Sequence, residues 1–365
     1  MKKIVLVAGA RPNFMKIAPI IEAINVSRQQ GSSLQYALVH TGQHYDAKMS
    51  EDFFVQLGIP KPDVNLEAGG GSQAEQTAAI MTRFEQYLIK NPAAMVMVVG
   101  DVTSTLACSI VAKKMGILVA HVEGGIRSGD MTMPEEINRI VTDSISDYYF
   151  TTSRTANSNL IKEGKNESQI FFVGNTMIDS LLKNMNRLIK PPFWEELKLQ
   201  PEKYFVLTLH RPSNVDDKVQ LQSIYYEMEK NAGEFPVIFP IHPRTRKSME
   251  RFGIKLNHIN LVDPMSYLEF NFLVKNARGV ITDSGGITEE TTVMGIPCIT
   301  LRNSTERPET CTIGTNELIG TDPSRIGPEI KKMRLGTWKK GTIPELWDGK
   351  AAERIVSILT TQLLR

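Results

Sequence analysis

Cysteine is scarce in this chain. Cys108, Cys298 and Cys311 are the only three among 365 residues, and none forms a CxxC pair. That excludes a disulfide framework and a thiolate zinc motif, and it fits free thiols in a reducing compartment. The histidines are scattered and include no HExxH, so no zinc site and no other metal site is expected. Charge of either sign is not in excess: 42 Lys and Arg against 40 Asp and Glu leave +2, with none of the basic field that nucleic acid demands. Long apolar runs are missing too, since no stretch approaches the roughly 20 residues that span a bilayer. The opening "MKKIVLVAGARPNF" has two lysines and an apolar run that ends in "ARP", short for an export signal and suited to a buried strand. A soluble cytoplasmic protein without nucleic-acid or membrane partners is expected. No GxGxxG follows the first strand, which reads "AGARPNF", and GxxxxGK[ST] occurs nowhere. An NAD enzyme and a P-loop NTPase are therefore disfavoured, and no cofactor is expected.

What is present is a rhythm. Short apolar runs, "KIVLVAG", "LQYALVHTG", "MVMVVGD", "LVAHVEG", "DYYFTTS" and "IFFVGN", alternate with amphipathic stretches in the first half. The second half continues with "YFVLTLH", "FPVIFPIH", "INLVDP", "GVITDSGG" and "PCITLRN". Continuous apolar strands alternating with helices predict α/β architecture, with parallel sheets covered on both faces. The length calls for two domains. The rhythm breaks over residues 184–203, where three prolines and many charges mark a candidate linker. The expected division is 1–185, with a returning C-terminal helix at about 350–365, and 186–349.

Ligands of parallel sheets bind beyond the carboxyl ends of the strands. Polar residues stand at those ends: Arg11, His44, Asp101, Glu123, His210, His242 and Ser284. Any one of them could be a helix cap; seven of mixed charge point to a site. In "ITDSGGITEETTVMG" a strand runs into Ser-Gly-Gly and then a helix, which offers bare backbone N–H groups and a positive helix end to an anion. Glu289 and Glu290 follow in that helix, placed to meet a ribose diol. His210 stands beside Arg211, and "IHPRTRK" adds Arg244 and Arg246. His121 falls within a strand pattern and reads as core, whereas His258 reads as surface loop.

"MPEEINRIVTDSI" starts a helix at Pro134, with Ile137, Ile140, Val141 and Ile145 as the stripe expected to anchor it in the core. Glu135 and Arg139 fall opposite, about 40° apart on the helical wheel. On residues alone they are either a surface ion pair or a catalytic face.

The ordered set "GARPNFMKIAP", "HTGQHYD", "GDVTSTLA", "HVEGGIRSGDMTMPEEINR", "GNTMID", "LHRPSN", "HPRTR", "TDSGGITEE" and "TERPE" resembles the non-hydrolysing UDP-N-acetylglucosamine 2-epimerases over roughly residues 3 to 355. The resemblance implies the glycosyltransferase-B architecture: two Rossmann-like domains facing across a cleft, a last helix crossing back to the first domain, and a homodimer. It implies interconversion of UDP-N-acetylglucosamine and UDP-N-acetylmannosamine, with a UDP-sugar as substrate and acid/base groups reaching both faces of sugar carbon 2. Residue by residue, it implies Asp101, Glu123 and Glu135 as acid/base carboxylates and His210 beside the diphosphate. Arg11, Lys16 and Arg139 match cleft cations, and Ser284, Gly285 and Gly286 the phosphate turn. Glu290 matches the ribose carboxylate, Phe270 the residue beside uracil, and Arg307 a cleft residue. The pattern also departs: Ala10 and Asn13 replace threonine and glutamate, and Pro212 and Ser213 replace arginine and glutamate. These regions form an activator site in some bacterial members, and Gln43 and His242 remain as candidate regulatory residues. "HTGQHYD" and "RPSN" resemble a branch that includes epimerases of UDP-2,3-diacetamido-glucuronate, whereas "TERPE" resembles the simpler enzymes.

Overall fold

The computed structural model describes residues 2–43, 54 and 56–363, with Arg11 described by its backbone only. His44 lies outside the described residues. The chain divides into two compact units, Met1–Lys183 with Glu345–Arg365, and Asn184–Pro344.

The first unit holds β1 (Lys2–Ala8), β2 (Leu34–His40), β3 (Val64–Asn65), β4 (Met95–Val99), β5 (Leu118–Val122), β6 (Tyr148–Thr151) and β7 (Ile170–Phe172). They form one sheet in the order β3-β2-β1-β4-β5-β6-β7, parallel throughout. Its helices are α1 (Arg11–Gln29), α2 (Gln73–Lys90), α3 (Thr103–Lys114), α4 (Pro134–Ile145), α5 (Arg154–Lys162) and α6 (Thr176–Asn184). Val5, Val7, Val96 and Val98 pack against Ile80, Phe84 and Val111 of α2 and α3. The alternate residues Ile4, Leu6 and Met97 are fully buried as well, so both faces are covered, as the apolar runs predicted.

The second unit repeats the plan. Its strands are β8 (Phe205–Thr208), β9 (Val237–Pro240), β10 (Ile259–Val262), β11 (Gly279–Thr282), β12 (Cys298–Thr300) and β13 (Asn316–Leu318). The order is β10-β9-β8-β11-β12-β13, again all parallel. Helices α7 (Phe193–Glu196), α8 (Pro212–Val215), α9 (Lys218–Ala232), α10 (Pro243–Phe252), α11 (Tyr267–Lys275), α12 (Gly285–Met294), α13 (Pro308–Thr312) and α14 (Ile326–Leu335) accompany them. Strand alternation splits the core into two layers. Phe205, Leu207 and Phe239 face one side, and Val206, Ile238 and Val280 the other. Both units are therefore Rossmann-like.

Two expectations need correction. Residues 184–203 are not a spacer: α7 and the turn after it put Trp194 and Leu199 into the second core, where Trp194 meets Tyr204 edge-on at 5.4 Å. The prolines there shape a packed turn. In α4 the period is right and the buried face is wrong. Ile137 is 44% exposed, and Ile140, Val141 and Ile145 are only half-buried. The buried residues are Glu136, Asn138, Arg139, Thr142 and Asp143. That inversion is tolerable because the buried charged groups, Glu136, Arg139 and Asp143, have hydrogen-bonded partners.

The last helix, α15 (Ala351–Ile358), belongs to the first unit and packs on α1. Asp179 of α6 accepts from the first N–H groups of that helix, Ala351 at 3.1 Å and Ala352 at 2.7 Å, supplying the cap its own Lys350 does not. Trp347 is fully buried just before it and donates to the Thr152 carbonyl at 3.0 Å. No helix among the described residues is long and apolar enough to cross a membrane.

Candidate active site

In sheets of this order the strand sequence reverses between two neighbours, and the opening left between the diverging connections receives ligands. In the first unit the neighbours are β1 and β4. Asn13 ties their ends together: Oδ1 accepts from the N–H groups of Gly9 at 3.1 Å and Ala10 at 3.0 Å, and Nδ2 donates to the Val99 carbonyl at 2.8 Å. Only glycine fits at position 9, where a Cβ would come within 2.0 Å of Ser104 Oγ. Arg11 opens α1 at this edge, and one turn further on Lys16 reaches Glu123 at 2.5 Å. Glu123 directly follows β5 with a φ of 76°, a left-handed conformation that costs a non-glycine residue about 1–2 kcal/mol. It is only 6% exposed, and its N–H donates to the Phe150 carbonyl at 2.8 Å. A buried ion pair of this kind contributes little net stability, but deleting one partner strands the other.

Asp101, beyond β4, pairs with Arg139 of α4, whose Nη1 also donates to Glu136 at 2.8 Å. Asn138 Nδ2 donates to the Asp101 carbonyl at 2.8 Å, so both ends of Asp101 are held by α4. Burial works to raise the Glu136 carboxyl. The N–H groups of Ser128 and Gly129, with Arg139, outweigh it and hold the group below the ordinary carboxylate range. Glu136 is thus the brace for Arg139 and for the 128–129 turn. Glu135, its neighbour in the first turn of α4, is half-buried. Gln43, past β2, accepts from Ser104 Oγ at 2.9 Å and belongs to the same edge.

The second unit has its reversal between β8 and β11. His210 and Asp283 stand at the two ends, joined at 2.7 Å through Nδ1. Asp283 is fully buried and also accepts from the N–H of His210 at 3.0 Å, the N–H of Arg211 at 2.9 Å and Asn214 Nδ2 at 3.2 Å. Burial pushes its carboxyl up, yet these donors, His210 foremost, bring it below the usual range. With Nδ1 tied to the carboxylate, the ring presents its other edge, and the side chain is 42% exposed. Beside this pair Ser284 precedes α12 without using its hydroxyl as a cap, and Gly285 and Gly286 begin the helix. Arg302, clamped by Glu306 through two 2.8 Å bonds, lies against Gly285, where a Cβ would sit 3.6 Å from its Nη1. Glu306 Oε2 would lie equally close, at 3.6 Å, so what this helix start offers an anion is its bare N–H groups beside an already paired guanidinium.

Deeper in α12, Glu289 pairs with Arg307, and Glu290 accepts from Tyr267 Oη at 2.8 Å. Burial, with Glu289 adjacent, pushes Glu290 up to about 7. Phe270 is half-buried on α11 against the core layer of Trp194. His242 caps α10, accepting from the Arg244 N–H at 3.2 Å, and its ring lies 6.0 Å from that of His210. Burial and the neighbouring His210 hold its pKa below the ordinary value. Arg244 and Arg246 turn to Asp216 and Asp263 instead.

The sequence reading named Asn13 only as a departure from the family pattern, and passed over Asn214, Asp283 and Arg302. Asp283 had a signal, since it ends the strand that runs into Ser-Gly-Gly. Asn13, Asn214 and Arg302 work through partners about 70 to 90 positions distant or through a side-chain clamp, which no local pattern announces.

Parallel Rossmann-like units that gather carboxylates and cations at one reversal, and a His–Asp pair beside a glycine helix start at the other, frame an enzyme of nucleotide-linked substrates. Within that class, the chain belongs to the UDP-N-acetylglucosamine 2-epimerase family, whose model matches residues 27–360. It is therefore an epimerase, of the isomerase class. It is 40% identical to the UDP-N-acetylglucosamine 2-epimerase of Methanocaldococcus jannaschii, over 98% of this chain and 99% of that one. It is 41% identical to the UDP-2,3-diacetamido-2,3-dideoxy-D-glucuronate 2-epimerase of Pseudomonas aeruginosa, over the same shares. The crystal structure of the M. jannaschii enzyme in complex with UDP-GlcNAc and UDP superimposes with a TM-score of 0.87 at 39% identity, covering 99% of both chains.

Proposed function

We propose that the protein interconverts UDP-N-acetylglucosamine and UDP-N-acetylmannosamine by eliminating UDP and adding it back. The hydrogen on carbon 2 has no adjacent carbonyl to make it acidic. Loss of UDP solves that: the anomeric C–O bond breaks with oxocarbenium character while a carboxylate takes the carbon 2 proton. UDP departs as the diphosphate, leaving a 2-acetamidoglucal. Return of a proton to the opposite face of carbon 2, with re-formation of the anomeric bond to UDP, gives the epimer. Positioned acid/base groups contribute about 10²–10⁴-fold each to such steps.

Glu123 is the observation that carries this reading. A carboxylate almost wholly buried, on a strained backbone at a strand end and beside Lys16, fits acid/base work better than a structural bridge. Asp101 and Glu135 complete the acid/base set, with Arg11, Lys16 and Arg139 as counter-charges. In the second unit, His210 and the Ser284–Gly285–Gly286 turn take the diphosphate, Phe270 lies beside uracil, and Arg307 supports Glu289. Glu290 takes the ribose diol: two hydroxyl donors offer the buried carboxyl what its charged form lacks. Gln43 and His242 are assigned to regulation. The enzyme acts as a cytoplasmic homodimer supplying cell-surface polysaccharide synthesis, in keeping with its free cysteines and family pattern.

The 41% identity to the P. aeruginosa enzyme favours one alternative substrate, the UDP-2,3-diacetamido-glucuronate. Comparing kcat/KM for the two UDP-sugars decides between them. Preference for UDP-N-acetylglucosamine by more than tenfold is expected, and the reverse preference transfers the assignment.

A further inference from the structure

Beneath the first unit's strand reversal lies a line of buried charge that the reaction above leaves unused. His121 of β5 and Asp143 of α4 are both fully buried. The ring faces Asp143 Oδ1 at 2.6 Å through Nδ1 and the Gly100 carbonyl at 2.7 Å through Nε2. A carbonyl oxygen can only accept, so Nε2 carries a hydrogen. Asp143 Oδ2 meanwhile takes the Gly125 N–H at 3.0 Å and Arg127 Nη1 at 2.7 Å, as an ionised carboxylate does. Burial opposes that charge, but His121 and Arg127 outweigh it and hold the carboxyl below the ordinary range. A single hydrogen lies between Nδ1 and Oδ1, so the ring is held at both edges.

Gly100 is what this ring holds. Its φ is 70°, and a Cβ there would lie 3.4 Å from both Asn13 Nδ2 and Lys16 Nζ and 4.0 Å from Glu123 Oε1. Its N–H donates to the Val122 carbonyl at 3.0 Å, which locks the turn after β4 to the end of β5. Asp101 is the next residue, and Glu123 is two residues on from His121. One ring therefore anchors both short segments that present these carboxylates.

We propose that His121, held between Asp143 and the Gly100 carbonyl, is the positioning residue that sets Asp101 and Glu123 for their acid/base work. The proposal rests on the epimerase reading. Outer partners of this kind typically change rate about 10–100-fold when lost, with substrate affinity nearly kept, because they touch no substrate.

The test has two arms. In ¹⁵N-histidine-labelled wild-type protein, a hydrogen bonded to Nε2 of His121 should be observed and protected from solvent exchange, because the buried Gly100 carbonyl accepts it. An Nε2 without a hydrogen overturns the proposal and needs no variant to fold. In the second arm, Asp143→Asn and His121→Gln should lower kcat for carbon 2 exchange tenfold or more while UDP affinity stays within about twofold. Folded variants that keep wild-type kcat also overturn it. Wild-type protein that exchanges no proton on any UDP-sugar removes the epimerase reading instead, and leaves the Nε2 bond to Gly100 a separate result.

Discussion

Asp283→Asn changes almost no volume and removes one charge, so its cost can be worked from its hydrogen bonds. The carboxylate accepts from four donors: His210 Nδ1, the N–H groups of His210 and Arg211, and Asn214 Nδ2. An asparagine has one acceptor oxygen, and its NH2 must face the remaining donors. If the NH2 replaces Oδ2, the Arg211 N–H and Asn214 lose their acceptor, at about 1–3 kcal/mol for each buried donor. If it replaces Oδ1, His210 loses the carboxylate oxygen that fixes its ring, and with it the placement proposed beside the diphosphate. The first arrangement should cost about 3 kcal/mol, a fall on the order of 1 M in the urea midpoint of the second unit. The second should instead reduce kcat strongly. The wild-type bond also has a pH signature. Because the folded carboxyl is depressed, its contribution is fully present above the unfolded value of about 3.9 and is lost as pH falls through the folded value. The variant should lack that acid sensitivity. Urea unfolding and steady-state kinetics on one preparation provide the check; a midpoint and a kcat both near wild type would refute the reasoning.

Glu290 behaves in the opposite sense. Burial pushes it up to about 7, so its contribution to stability is full below the unfolded value of about 4.3 and is lost as pH rises through 7. Glu290→Gln should flatten that decline, on the order of 3 kcal/mol, in thermal unfolding between pH 5 and pH 8, while weakening UDP binding measured by calorimetry. Gly100→Ala should cost about 1–2 kcal/mol from its left-handed backbone and lower kcat by crowding Lys16, read by urea unfolding and turnover. Asp179→Ala removes the cap of α15 and should cost about 1–2 kcal/mol, with faster amide exchange concentrated in residues 351–358. Glu135→Gln should abolish carbon 2 exchange yet move stability by no more than about 0.5 kcal/mol, since the side chain is half-buried in a first helical turn.

The sheets were legible because a strand buried on both faces must be apolar at consecutive positions, as in "KIVLVA" and "MVMVV". The edge strands β3 and β13 were missed: with two and three residues they carry too little pattern to stand out from loop. In α4 the helix and its start at Pro134 were readable, but the choice of buried face was not. Apolar periodicity identifies a stripe, whereas the polar face here is buried by bonds to Asp101, distant in sequence, and to the Ser128 and Gly129 N–H groups of the preceding turn. Residues 184–203 misled for a related reason, since composition reads as linker when a single tryptophan and a leucine carry the packing. Of the site, strand-end positions such as Asp101, Glu123 and His210 could be found by position. The braces formed by Asn13 on the Val99 carbonyl and by Asp143 on His121 became visible only when folding brought distant segments together.

The central claim is proton exchange at carbon 2 through loss of UDP. Proton NMR of UDP-N-acetylglucosamine incubated with the enzyme in D2O tests it most directly. Deuterium should enter at carbon 2 in step with formation of UDP-N-acetylmannosamine, without added nicotinamide cofactor. A substrate that keeps its carbon 2 hydrogen, or an epimer that forms without solvent deuterium, would contradict the account.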